Sequence, residues 1–165
     1  MRRAAFFALA VLMTACSQGV RSGANLCALV PKANAEAALG ATTQDARTEE
    51  ASDHLQCAWT APGDGATRTM TAALWRETKL MHDDATMSGA LFFEDQLHAL
   101  EKDFPRTRVI GGLGEAAVYG FGDIDDDHFT GGIIVRKHGD VLSMRIDGKD
   151  PAAFEAAARL ITAKM

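Results

Sequence analysis

Two apolar runs flank Gly139-Asp140, and they limit the fold more than any other stretch of the chain. Residues 128–135 and 141–147 are rich in Ile, Val, Leu and Met, separated by one turn signal. A two-residue loop with Gly first predicts a type II′ hairpin. That loop sets Val135 opposite Met144 and Ile133 opposite Ile146, which makes one continuous apolar face. A three-residue loop would set Val135 against Ser143 and break it. A hairpin with an apolar face needs cover, so the chain must layer other elements on a sheet.

The cover is found in three helical patterns. Residues 26–39 read as a short Ala-rich helix, with Pro31 in its first turn and Gly40 as its C-terminal cap. Residues 84–103 carry Met87, Ala90, Leu91, Phe93, Leu97 and Leu100 at helical spacing, and Phe104-Pro105 ends the run. Asp150 caps and Pro151 starts a last helix, whose stripe is Phe154, Ala157, Ala158 and Ile161. The Met and Phe stripe of the second helix is read as core rather than as a ligand lining.

Residues 56–60 form a strand, with Trp59 on the face of Cys57. Thr67–Trp75 alternates, with Met70, Ala72 and Leu74 on one face. Residues 107–110 and 118–122 read as strands, and 41–54 as a loop. The expected fold is therefore α+β, with helices on one face of an antiparallel sheet of about five strands. The expected order is α-β-β-α-β-β-β-α.

The N-terminus has a charged start, Met1-Arg2-Arg3, then an apolar run to Met13. Small Thr14 and Ala15 stand directly before Cys16. This is the layout of a secretory signal peptide. With cysteine at the cut site it resembles a bacterial lipoprotein signal, in which Cys16 is acylated and becomes the first residue. Met13 stands where leucine is usual. A plain signal cut after Ala15 is the competing reading. The run is too short to cross a bilayer, because Ser17-Gln18-Gly19 ends it before about 20 apolar residues. The expected organisation is a removed signal peptide at 1–15, a polar tether at 16–25 and one domain at 26–165. A Ser at position 17 looks like export to the outer membrane where a cell has two membranes.

Removing Arg2 and Arg3 takes the net charge from −5 to −7. Such a chain is not built to neutralise phosphates, so no nucleic-acid partner is expected. The expected membrane link is the lipid on Cys16. With Cys16 so assigned, Cys27 and Cys57 remain as an even pair in an oxidising compartment, which predicts a disulfide. A zinc site is the rival reading, weakened by the lack of histidine at ligand spacing.

Several motifs together resemble a family of cell-envelope lipoproteins, common in actinobacteria and catalogued as a domain of unknown function. The matching features are the lipid cysteine and tether, Cys27-Ala28-Leu29-Val30-Pro31 opening an Ala-rich helix, and Cys57-Ala58-Trp59. Gly112-Leu113-Gly114-Glu115-Ala116-Ala117 and the terminal hairpin plus helix also match. Asn25-Leu26 stands where the family tends to Asp-Pro, and Val30 replaces a capping Thr. The resemblance implies a Cys27–Cys57 pair and an envelope location, and it implies no reaction.

No catalytic pattern keeps its required context. Gly112-x-Gly114-x-x-Ala117 mimics a dinucleotide fingerprint, but Val118-Tyr119-Gly120-Phe121-Gly122 follows as strand where a helix is required. Asp123-x-Asp125-x-Asp127 begins like a calcium loop, yet His128 and Ile134 occupy the positions that need Gly and Glu. There is no Gly-x-Ser-x-Gly elbow and no zinc-protease motif. His54, His82, His98, His128 and His138 are scattered along the chain, and neighbours such as Asp53-His54 need not face each other. The expected function is a non-catalytic binding or accessory lipoprotein that engages an envelope protein or ligand. No enzyme activity, metal or cofactor is expected. The candidate surface is Asp123, Asp125, Asp126, Asp127 and His128. A cation-handling envelope protein and an enzyme with an unrecognised site are the alternatives.

Overall fold

In a computed structural model of the protein, the described residues are 25–77, 80–82, 85–124 and 128–165. The 1–15 segment, Cys16 and the tether up to residue 24 lie outside them, as do Asp125, Asp126 and Asp127. A 3-10 turn, Leu26–Leu29, leads into α1 (Lys32–Leu39). Then come β1 (Arg47–Glu50), β2 (His54–Pro62), β3 (Thr67–Trp75) and a short pair, β4 (Met81–His82) with β5 (Ala85–Thr86). The chain continues through α2 (Gly89–Asp103), β6 (Arg106–Val109), β7 (Ala116–Ile124), β8 (Phe129–Lys137), β9 (Asp140–Gly148) and α3 (Pro151–Thr162).

The class is α+β, and the sheet has seven antiparallel strands in the order β1-β2-β3-β9-β8-β7-β6. The expected count of about five is too low. Two strands separate the expected order from the observed one: β1 was not read as a strand, and four strands rather than three follow α2. The β1 sequence, Arg-Thr-Glu-Glu, has no apolar alternation because it lies at the sheet edge. Its backbone pairs with Leu55–Ala58, and Thr48 Oγ1 accepts the Cys27 N–H at 3.0 Å.

The helices cover both faces, which corrects the one-face expectation. α1 and α3 share one buried cluster with Met70, Ala72, Leu74, Ile133, Val135, Leu142 and Met144. α2 packs on the opposite face, where Phe93, Leu100 and Phe104 meet Ile134 and Val141. Each strand alternates its side chains, so Ile133 and Ile134 must serve different layers. Central strands buried on both faces read as near-continuous apolar runs, as 131–135 does and as 141–144 does apart from the buried Ser143. α2 is seated on the facing pair Gly120 and Gly132. A Cβ on Gly132 would lie 2.6 Å from Leu100 Cδ1, and one on Gly120 3.0 Å from Phe104 Cβ. Only glycine permits this approach.

The first helix is shorter than 26–39. Val30 is extended because the residue before a proline avoids the helical region, so Pro31 becomes the N-cap residue. α2 starts at Gly89, where Ser88 Oγ accepts the Leu91 N–H, rather than at residue 84. Met87 therefore precedes the helix, and Leu91 points outward, 58 % exposed. α3 is capped as expected, with Asp150 Oδ1 accepting from Ala152 and Ala153.

The hairpin turns at His138-Gly139, one residue earlier than expected, and Lys137 pairs with Asp140. Val135 faces Leu142 and Ile133 faces Met144. Both turn residues have positive φ, 54° and 80°, the signature of a type I′ turn. Moving the turn by one residue shifts every pairing by two, and a two-residue shift keeps each side chain on its face. The apolar face was therefore right while the register was not.

Candidate functional site

The β2–β3 turn and His128, which leads into β8, meet at one end of the sheet. The β2–β3 turn begins after Pro62 and ends at Thr67, and the β7–β8 turn leads through His128 into Phe129. Asp147 of β9 pairs with Thr69 on one side and Thr130 on the other, which aligns the two turns. Gly63, Asp64, Ala66, Thr67, Arg68, His128 and Asp147 line the cleft between them, of about 230 Å³.

The cleft has fixed and open parts. Arg68 is fixed: Nη1 donates to the Leu39 carbonyl at 3.0 Å, where it caps the end of α1. Its Nη2 lies 3.6 Å from the Asp64 carboxylate, which is 98 % exposed. His128 Nε2 and Asp147 Oδ1 are 2.7 Å apart, and both side chains are nearly half exposed. The cleft thus offers both signs of charge to an incoming polar group.

Among the expected site residues, His128 lines this cleft, and the backbone of Asp123 belongs to β7. Asp125, Asp126 and Asp127 lie outside the described residues. His128 meets Asp147 rather than another histidine. Among the described residues no group of three metal-binding side chains comes together. Sequence reading missed Asp147 and Arg68, which reach the cleft only through strand pairing.

Cys27 and Cys57 are bonded, with Cα atoms 5.4 Å apart. The bond and Trp59 are buried side by side. A second cleft of about 350 Å³ borders them, lined by Asn25, Val30, Lys32, Asp45 and Trp59 among others. The entering chain is tied down here, since Asn25 Oδ1 accepts from Thr48 Oγ1 at 2.5 Å.

Asp53 and His54 do face each other, at 2.7 Å between Oδ1 and Nδ1, although adjacency alone did not require it. The hydrogen bond to His54 is the main reason the Asp53 carboxyl titrates below its ordinary value. The Trp75 indole N–H donates to the second Asp53 oxygen at 3.4 Å, and the His54 ring lies 4.9 Å from Trp75. Both imidazole–carboxylate pairs could move a proton. Among the described residues, each of these imidazoles has a carboxylate as its side-chain hydrogen-bond partner.

No protein-family model matches the chain, and no match was found among curated proteins or solved structures.

Proposed function

We propose that this protein is a lipid-anchored envelope lipoprotein whose folded part is a non-catalytic binding module. Its contact surface is the sheet end that carries the β2–β3 turn and the segment joining β7 to β8. The observation that carries the reading is the mixed-charge cleft in which the β2–β3 turn meets His128 and Asp147. Loops held by a rigid scaffold are the usual carriers of recognition. The scaffold is a seven-stranded sheet stapled by Cys27–Cys57, a bond suited to an oxidising compartment. The signal-like segment ending at Cys16 supplies the anchor in this reading. A tether from Cys16 to Cys27 reaches at most about 40 Å, so the partner is membrane-proximal.

Two experiments test the two halves separately. Cys16→Ala should move the protein from the membrane fraction to the soluble envelope fraction. Unchanged membrane association and unchanged detergent partition would remove the lipid anchor from the reading. Asp125→Lys with Asp127→Lys should abolish the envelope crosslinks made by the wild type, at an unchanged thermal midpoint. An acidic turn opposite a basic partner loses attraction on reversal, and like charges then repel. An unchanged crosslink pattern would show that the turn makes no contact.

A further inference from the structure

Among the described residues, no strand pairs with the outer edge of β6. Within them β6 pairs with β7 alone, and all four of its residues are exposed. The Ile110 N–H donates to the Ala117 carbonyl at 3.0 Å, which fixes the phase of the ladder. In an antiparallel pair, bonded and non-bonded positions alternate. Arg108 and Arg106 therefore bond inward to Tyr119 and Phe121, while the N–H and C=O of Thr107 and Val109 point away from the sheet. Pro105, without an N–H, bounds the register at its start.

The side chains on this edge are selective. Arg106 and Arg108 share one face, laid over the rings of Phe121 and Tyr119 at 5.0 Å each. Arg106 donates to the Gly122 carbonyl, and Arg108 to Glu155 at 2.7 Å. A guanidinium has further donors beyond one such bond, and the Arg108 side chain is 51 % exposed. On the other face Val109 is 79 % exposed. The strand itself carries no acid.

We propose that β6 takes an extended acidic segment of a partner polypeptide as an added antiparallel strand. Main-chain bonds to Thr107 and Val109 supply the docking. Carboxylates two residues apart on the partner meet Arg106 and Arg108, and a β-branched residue covers Val109. A second β6 fits poorly. The antiparallel register that uses both outward positions sets Arg108 opposite its own copy, where like charges repel.

The test uses the folded protein with a synthetic peptide, acetyl-Thr-Val-Glu-Thr-Glu-Thr-amide. Binding should shift the Thr107 and Val109 amide resonances and weaken as salt rises. Thr107→Pro removes one outward donor without touching the β6–β7 ladder, and should weaken binding about ten-fold or more, the effect of losing a docking hydrogen bond. Arg106→Gln with Arg108→Gln should remove most of the salt dependence. A peptide with Lys for both Glu, or one N-methylated at alternate amides, should not bind. Unshifted Thr107 and Val109 amides, full binding by Thr107→Pro, or equal binding of the Lys peptide would each overturn the proposal. Concentration-dependent self-association abolished by Thr107→Pro would overturn it too, by making a second copy of this chain the occupant.

Discussion

Phe154→Ala will lower the folding free energy by about 3–5 kcal/mol, the usual cost of emptying a buried aromatic site. Phe154 is fully buried in α3, with its ring 6.0 Å from Tyr119 of β7 and 6.2 Å from Phe129 of β8. It joins the last helix to two strands at once. The walls of the resulting cavity are sheet backbone and packed rings, which collapse poorly. Tyr119 adds to the cost. It loses the edge contact between its ring and that of Phe154. An ordinary domain is stable by about 5–15 kcal/mol, so the loss is a large fraction. Urea unfolding should show a lower midpoint at an unchanged slope. A loss under about 1 kcal/mol would mean that α3 is not docked through this ring.

The second large effect is loss of the disulfide. Cys27 and Cys57 close a loop with a sequence separation of 30. Opening it should cost about 3–4 kcal/mol through the freed unfolded chain. Cys27→Ala with Cys57→Ala, and the reduced wild type, should unfold at similar urea concentrations, both well below the oxidised protein. The lost structure should include the Leu26–Leu29 turn and β1, which meet where the Cys27 N–H bonds Thr48. Coincident midpoints for oxidised and reduced protein would refute the claim that the bond stabilises the fold.

The parts of the fold that were legible in sequence are those where local pattern and tertiary need agree. Asp150-Pro151 with the stripe Phe154, Ala157, Ala158 and Ile161 specified α3, because cap chemistry and helical period point the same way. Met70, Ala72 and Leu74 marked the buried face of β3 correctly. Illegible parts depend on partners distant in sequence. β1 is a strand only because β2 lies beside it. Which face α2 would cover was written in the near-continuous apolar runs of β8 and β9, but a period-two reading of one face hides the second. The turn position was missed because Gly first suits II′, whereas the chain accepts positive φ at His138, a residue type enriched there.

The candidate site shows the same division. His128 was visible as the end of the acidic stretch that starts at Asp123. Asp147 and Arg68 were not, since both sit in strands whose pattern advertises only core. The signal was present in the hairpin register, which decides what stands across from residue 147. A two-residue error there leaves the faces intact and misassigns each cross-strand partner.

The disulfide also decides how a pull on the chain would travel. Force applied upstream of Asn25 reaches Cys27 and passes through sulfur into Cys57, in the middle of β2. β2 is laddered along its length to β3, and along residues 55–58 to β1. The load therefore enters the sheet as shear across many parallel hydrogen bonds instead of peeling them one at a time. The intervening segment, with the 3-10 turn, α1 and β1, is shunted out of the line of tension. It can fray or reorganise without lengthening the connection. Reduction would put those weaker elements in series with the pull, so a single redox event would change the domain from a stiff mechanical link to an extensible one.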